Sequence, residues 1–440
     1  MKDKAIGKLE VISIAIGSII GTGAFLLPGD LFLSKIGFFN TVLGITLGAL
    51  LVLIIEKNYS LLIKKFPKSG GEYIFVKNTI GKKNAFVCGW LLVLSYFTII
   101  PLNATAVPVV IDTIFPDFLK VGYLYSLNGD VYFGDLLVSI ISLLIFLYFN
   151  IKGIRFASMV QNIMVLFLVG TVLFFAGILM YINGLEHHVL ISHLSFGLDI
   201  KNILKVLAVA PFLFIGFDCI PQITEELNFD MKKISFLAAF SIALGGFLYI
   251  CLTFITAYGL TREELLTLNV NWAAGYSVEY FFHRTGLLFL GGAFFMAIVA
   301  GINGFYMSSS RLVLAMAEEG DLPKFFAKEK NGNPYNALIV ICILSCLASF
   351  LGRNTVLWSL DVSSVGAAFG YLYTSLAAYK LGKGNLKITL FGIMGTIIGG
   401  VFILLLLVPV FSTSLNRDAC ITLFIWCIIG IFFKISTLKN

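Results

Sequence analysis

The chain has few charged residues, which make up 12% of its 440 positions, whereas an ordinary soluble domain carries roughly 25%. Apolar residues make up 59%, and the mean hydropathy is +0.96. This composition excludes a soluble globular protein and indicates an integral membrane protein. The net charge is +7, and the basic residues lie in alternate gaps between the apolar runs. Membrane orientation explains that pattern better than nucleic-acid binding, which is not expected.

Paired cysteines, catalytic clusters and alternating strands are also missing. The seven cysteines occur singly in apolar stretches, without a C-x-x-C pair, so neither a disulfide framework nor a metal site is expected. There is no Ser/His/Asp constellation and no phosphate loop, so we expect neither an enzyme nor a cofactor. Continuous apolar runs exclude a porin-type barrel, and 42 glycines with 10 prolines exclude a coiled coil. An all-α membrane bundle remains.

Apolar runs of membrane length recur along the whole chain. A span of the hydrocarbon core requires about 20 apolar residues. We predict twelve transmembrane helices at 10–36, 39–63, 84–114, 133–152, 157–183, 200–224, 233–259, 286–317, 336–351, 355–380, 386–410 and 418–435. No separate soluble domain fits between them.

Basic residues are distributed unequally between the two sides of this predicted topology. With the N-terminus in the cytoplasm, 23 of the 31 Lys and Arg residues fall on the inside. Because cytoplasmic loops of membrane proteins are enriched in Lys and Arg, both termini are predicted to be cytoplasmic. We expect a multi-pass protein of a bacterial cytoplasmic (inner) membrane, with the lipid bilayer as its partner.

Two of the predicted spans contain helix-breaking residues. The first has three glycines in seven residues, at 17–23, and the sixth has Pro211, Gly216 and Pro221. Glycines at this spacing are also typical of close helix packing, so that interpretation stays open. The breaks nevertheless lie five spans apart, as in two inverted five-helix halves, and such paired breaks indicate a binding site at the bilayer midplane.

A broken helix exposes backbone groups of opposite polarity. The second half begins with free N–H groups, which favour a carboxylate, and the first half ends with free carbonyl groups, which favour an ammonium group. Here the amides are those of Thr22 and Gly23, and the carbonyls lie near Ile19 and Ile215. An α-amino acid fits both ends.

These residues resemble the amino acid–polyamine–organocation (APC) family of secondary transporters, which share the LeuT-type fold. Five segments are similar to family signatures: GTG at 21–23 followed by Phe25 and Pro28, PKSGGEY at 67–73, GFD at 216–218, SR at 310–311 with AMAEEGDLP at 315–323, and NPYNA at 333–337. Together they cover about 310 residues in the family's order and spacing.

The resemblance implies a fold and a substrate site. It implies two inverted repeats of helices 1–5 and 6–10, at residues 1–185 and 186–383, followed by helices 11–12 at 384–440. The substrate-binding residues implied are Ile19, Thr22, Gly23, Phe212, Ile215 and Phe305. Phe212 would close over the substrate, and Phe305 would contact its side chain, unless Phe305 only packs.

Asp218 is identified as the one acidic residue deep within a predicted span. Because an intramembrane carboxyl group is costly, we predict a gating or proton-coupling role; a helix cap is the alternative. Glu225 and Glu226 are predicted to be solvated and paired with Lys232 or Lys233. The histidines of the loop at 186–193 are a weaker candidate for pH sensing.

Two departures from the family pattern concern ion coupling. Asn303 and Gly304 stand where sodium-coupled members of this fold carry adjacent hydroxyl residues, so sodium dependence is not expected. Leu168 stands where some members carry a lysine.

The leading hypothesis is a sodium-independent secondary transporter of amino acids or polyamine-like amines that works by alternating access as an exchanger or with protons. The alternative is a channel or a non-transporting amino acid sensor on the same fold. The sequence leaves a homodimer open.

Overall fold

The computed structural model describes residues 5–184, 188–194, 197–267, 270, 272–330, 332–408 and 415–438. Glu186 and His187, two residues of the predicted histidine loop, lie outside these ranges. The described chain is a helical bundle with one short β-hairpin, formed by strands β1 (Tyr123–Ser126) and β2 (Asp130–Tyr132). The α-helices are α1 (Lys8–Ile19), α2 (Thr22–Leu27), α3 (Phe38–Lys65), α4 (Gly71–Thr79), α5 (Lys82–Ala104), α6 (Val107–Ile114), α7 (Phe133–Lys152), α8 (Ile154–Asn183), α9 (His188–Leu194), α10 (Ile200–Phe214), α11 (Cys219–Gln222), α12 (Ile234–Ala257), α13 (Arg262–Thr267), α14 (Ala273–Glu318), α15 (Tyr335–Ser349), α16 (Arg353–Val356), α17 (Ser359–Leu381), α18 (Leu386–Leu407) and α19 (Arg417–Leu438).

The described helices confirm the all-α membrane fold. Nine helical stretches are long and apolar enough to span a bilayer, and the bent pair of α1 with Thr22–Ile36 makes up to ten. The predicted span at 336–351 corresponds to α15, which has only 15 residues. The span at 355–380 corresponds to α16 and α17, which are not among those ten candidates. The count of twelve therefore stays a prediction, as do the repeat boundaries.

The outer surface of the bundle is apolar. On α19, large side chains such as Phe424, Ile425 and Phe432 are exposed. Because lipid tails are the solvent that suits such a surface, the chain is a multi-pass integral membrane protein. Outside the breaks of the first and sixth spans, the backbone polar groups of the spans are bonded within helices, as the bilayer interior requires.

One end of the bundle, here called the N-terminal face, carries the start of α1, the end of α3, helix α4 and the start of α5. Ion pairs cross this face: Glu226 Oε1 accepts from Arg311 Nε at 2.8 Å, and Lys68 Nζ lies 3.1 Å from a Glu319 carboxylate oxygen. The expectation that Glu226 is solvated and paired with a nearby lysine is wrong, because its side chain is buried. Arg311 lies 85 residues further along the chain and reaches Glu226 only when the helices pack together.

The prediction that Asp218 is the one acidic residue deep within a span is wrong, because Glu56 lies within the predicted span at 39–63 and is buried. Glu56 on α3 and Glu72 on α4 are also fully buried. Glu56 accepts hydrogen bonds from Ser60 and Ser235 and pairs with Lys57. Glu72 lies in the loop after the second span, where sequence position predicts exposure and tertiary packing buries it.

Candidate functional site

The first span is broken where the glycines predict it. Helix α1 ends at Ile19, α2 begins at Thr22, and the two halves are bent by 50°. Gly21 has extended backbone angles between them. After α2 the chain continues as a π-helix from Pro28 to Ile36. The break therefore presents the carbonyl end of one helix and the amide end of another at the same level of the bundle.

The sixth span is broken between α10 and α11, and its break packs on the first. Gly216 has a φ of +133°, which side-chain-bearing residues rarely adopt. A Cβ atom at Gly216 would lie 2.6 Å from the Ile19 backbone nitrogen and 2.8 Å from the Ser18 carbonyl carbon. A residue without a side chain is thus required for the two breaks to approach backbone to backbone.

A small central cavity of about 10 Å³ lies between the two breaks, which is room for about one water molecule. Five of the six predicted substrate-binding residues line it: Ile19, Thr22, Gly23, Phe212 and Ile215. The Phe212 ring closes over Gly23, since a Cβ atom there would lie 2.7 Å from its Cε1 atom. An amino acid needs more room, so Phe212 must move for the cavity to admit one.

Side chains that the sequence did not single out meet both polar ends of the first break. Asn103 Oδ1, on α5, accepts from the Thr22 backbone N–H at 3.1 Å and from the Thr22 hydroxyl at 2.7 Å. The Tyr249 hydroxyl, on α12, donates to the Ile19 carbonyl oxygen at 3.3 Å. A neutral acceptor thus lies at the amide end and a neutral donor at the carbonyl end. No sequence signal marks Asn103 or Tyr249, because each is brought to the break by a different helix.

Phe305 and Asp218 lie outside the lining of this cavity. Phe305 is fully buried, with its ring 5.7 Å from that of Tyr96. The Tyr96 hydroxyl donates to the backbone carbonyl of Asp218 at 3.2 Å. Asp218 Oδ1 accepts from the Gly216 N–H at 2.7 Å, whereas Oδ2 is buried without a partner among the described residues. Asp218 thus holds the unwound segment between α10 and α11 through one oxygen and keeps the other oxygen free, so a structural role and a proton-coupling role both stay open.

The side chain of Asn303 forms hydrogen bonds with other helices through both its nitrogen and its oxygen. Its Nδ2 donates to the Ala157 carbonyl at 2.9 Å and to Gln161 Oε1 at 2.8 Å, and its Oδ1 accepts from Asn150 Nδ2 at 2.8 Å. The adjacent Gly304 has no side-chain oxygen. This amide network joins α7, α8 and α14 beside the first break.

A second, larger cavity of about 290 Å³ opens toward the end of the bundle opposite the N-terminal face. Four aspartates and one arginine line it: Asp30, Asp112, Asp130, Asp135 and Arg353. This cavity is here called the acidic vestibule. Its surplus of carboxyl groups produces an electrostatic field that attracts cationic groups.

Comparison with known proteins places the chain among permeases. A family profile described as "Amino acid permease" matches residues 6–433. The large neutral amino acids transporter small subunit 2 of Oryctolagus cuniculus is 28% identical over 367 residues, which cover 78% of this chain and 64% of that protein. The branched-chain amino acid permease BcaP of Bacillus subtilis is 24% identical, covering 86% of this chain and 81% of the permease.

A third relative, the serine/threonine exchanger SteT of Bacillus subtilis, is 24% identical over 73% of this chain and 69% of its own length. The matched region thus spans just under two thirds of the rabbit relative and more of the two bacterial ones. These names are those of transporters and not of enzymes. Because the family profile matches nearly the whole chain, this protein belongs to the amino acid permeases of the amino acid–polyamine–organocation superfamily.

Proposed function

We propose that the protein is a secondary transporter of amino acids or of their amine derivatives, which works by alternating access without sodium. The observation that carries this proposal is the polarity of the first break. Tyr249 donates a hydrogen bond to its carbonyl end, and Asn103 accepts one at its amide end. An ammonium group is a donor and a carboxylate is an acceptor. The ammonium group of a zwitterion can therefore take the place of the Tyr249 hydroxyl, and its carboxylate can take the place of the Asn103 oxygen.

The proposed substrate class also agrees with the names of the relatives, each of which refers to amino acids. The acidic vestibule would face outward if both termini lie in a bacterial cytoplasm, as we propose from the basic residues. There it would raise the local concentration of amine-bearing solutes. Exchange of one amine or amino acid for another, or coupling to protons through Asp218, would drive transport.

The experiment that tests this function uses the purified protein in liposomes. A panel of labelled amino acids and polyamines is measured for uptake, with each compound in turn preloaded inside. We expect at least one α-amino acid to exchange or to accumulate above equilibrium. Flux that only follows the gradient would contradict coupled transport and would leave a uniporter or a channel, and binding without flux would indicate a sensor.

Sodium replacement provides the first prediction. We expect uptake or exchange to be unchanged when external sodium is replaced by choline or potassium at fixed pH. The physical reason is that Asn303 has its side-chain oxygen bonded to Asn150, and Gly304 offers none. A steep dependence of the initial rate on sodium would show that oxygen ligands for the ion lie elsewhere and would contradict the proposal.

Asn103→Asp provides the second prediction. The variant would place an ionisable carboxyl group at the Thr22 N–H, where we expect the substrate carboxylate, and binding is measured at a pH high enough to ionise it. Repulsion should weaken α-amino acid binding about 10- to 100-fold, or roughly 1.5–3 kcal/mol. An amine without a carboxylate should lose much less affinity. Equilibrium binding to the purified variant measures both, and an equal loss for the two ligand types would show that Asn103 does not hold the carboxylate position.

A further inference from the structure

Two fully buried carboxyl groups, those of Glu72 and Asp218, lie between the sixth-span break and the N-terminal face. Each has one oxygen, Glu72 Oε1 and Asp218 Oδ2, that forms no hydrogen bond within the described residues. Two buried hydroxyl groups nearby, of Tyr59 and Thr374, are likewise unpartnered. Because an unsatisfied buried polar group is costly, four of them together indicate that the site holds something more.

Helix α11 joins the two carboxyl groups. Asp218 precedes its first residue, and Gln222, its last, donates from Nε2 to Glu72 Oε2 at 2.7 Å. Tyr59 faces Glu72 and Thr374 without a hydrogen bond of good geometry to either, and its ring lies 5.1 Å from that of Phe217. Burial raises the pKa of Glu72 well above its usual range, and the Asp218 carboxylate raises it further.

No basic side chain neutralises the pair among the residues that the structure describes. The titratable groups facing it from the packed helices are uncharged at neutral pH in solution: Tyr59 on α3, Cys88 and Tyr96 on α5, Tyr371 on α17 and Cys219 on α11. The cations of the N-terminal face are held by other acids. Arg311 pairs with Glu226, Lys68 and Lys77 pair with Glu319, and Lys82 and Lys434 lie near Asp321.

We propose that Glu72 and Asp218 hold one exchangeable proton between them, in a site completed by the Tyr59 and Thr374 hydroxyl groups. Two carboxylates without a cation cannot both be ionised in a buried site, so one of them retains a proton. A protonated carboxyl group becomes a donor and can bond to a neighbouring hydroxyl, which satisfies the unpartnered atoms. The two groups then titrate as a pair.

The site also couples to movement, a step that rests on the proposed transport function. Glu72 belongs to a loop helix between α3 and α5, whereas Asp218 and Gln222 belong to the broken helix. Any movement of α11 away from α4 separates the carboxyl groups and breaks the Gln222 hydrogen bond. Each group then loses the repulsion of the other and gains access to water, and the proton is released.

Infrared spectroscopy of the purified full-length protein tests the proton site without any substrate. The carbonyl stretch of a protonated carboxyl group is followed against pH for the parent, Asp218→Asn, Glu72→Gln and the double variant. We expect the Asp218→Asn change to move the midpoint of Glu72 titration at least about one pH unit lower, a tenfold loss of proton affinity. The component of the band that titrates with the pair should be absent from the double variant, whereas the bands of the other carboxyl groups remain.

Glu56→Gln is the matched control, because Glu56 is equally buried but paired with Lys57 and Ser60. It should leave the component that belongs to the Glu72–Asp218 pair, and the midpoint of that component, unchanged. An unchanged midpoint in Asp218→Asn, or a double variant whose band titrates just as the parent's does, would overturn the shared proton. Loss of the parent's band on replacing choline with sodium at fixed pH would show a cation site instead and would also overturn it.

Proton movement in liposomes then tests the coupling. Substrate-driven acidification or alkalinisation, read by a trapped pH dye, should be lost in each single variant. The double variant should lose no more proton movement than either single variant does. Additive losses would contradict a single shared proton. If the parent moves no substrate, the transport proposal fails, and the infrared result still decides whether the pair holds a proton.

Discussion

Replacement of Gly23 by valine is expected to abolish substrate binding, with a loss of at least about 100-fold, or roughly 3 kcal/mol. A Cβ atom at Gly23 would lie 2.7 Å from Phe212 Cε1 and 3.5 Å from a Leu27 methyl group. Valine adds two further methyl groups where the substrate must approach the backbone amide. Equilibrium binding of a labelled amino acid to the purified variant is the measurement.

A matched control separates this effect from a general cost of valine in a membrane helix. Gly170 on α8 also lies within a span, but a Cβ atom there would meet nothing within 4 Å. Gly170→Val should bind like the parent. Both variants should elute as monodisperse protein and unfold near the parent's temperature. Unaltered affinity in Gly23→Val would remove the first break from the binding site.

Asp218→Asn is expected to bind substrate but to lose most of the pH dependence of transport. Asparagine keeps the size of the side chain, and its oxygen can still accept from the Gly216 N–H, which Asp218 Oδ1 does at 2.7 Å. It cannot ionise, so protonation can no longer bias the packing of the broken helix. Initial rates measured across pH, with binding measured in parallel, provide the comparison.

Asp218→Ala distinguishes the structural hydrogen bond to Gly216 from the proton site. Alanine removes the acceptor that holds Gly216 in its left-handed conformation, so binding and stability should both fall. If the pH profile of Asp218→Asn instead overlays that of the parent, Asp218 is only a structural cap. His193 is then a poor next candidate, because its side chain is buried and its Nε2 lies 2.7 Å from the Leu260 carbonyl.

The location of the breaks followed from local chemistry and could be predicted. Three glycines within 17–23 and the Pro211, Gly216 and Pro221 set weaken helical bonding wherever the chain carries them. The predicted residues Ile19, Thr22, Gly23, Phe212 and Ile215 line one cavity for the same reason, since unwound backbone lies beside the break. Their role in substrate binding stays a prediction.

The side chains that form hydrogen bonds with the broken ends, and the burial of Glu72 and Glu226, could not be predicted from local sequence. Asn103 and Tyr249 each lie on a mainly apolar helix that carries several other polar residues, and any one of these is equally compatible with packing, capping or binding. Glu72 and Glu226 follow spans, where charged residues are usually solvated. Their burial depends on helices that are distant in sequence, such as α14, which supplies Arg311 to Glu226.

The sequence by itself determined the membrane environment, the helical class and the two points at which helices break, because these depend on composition and on the backbone preferences of glycine and proline. The tertiary structure alone decided which side chains meet the broken ends and that Glu72 and Glu226 are buried. The reason is physical: hydrogen bonds and ion pairs between helices depend on rotation and depth within the bundle, and neither is encoded in any single span.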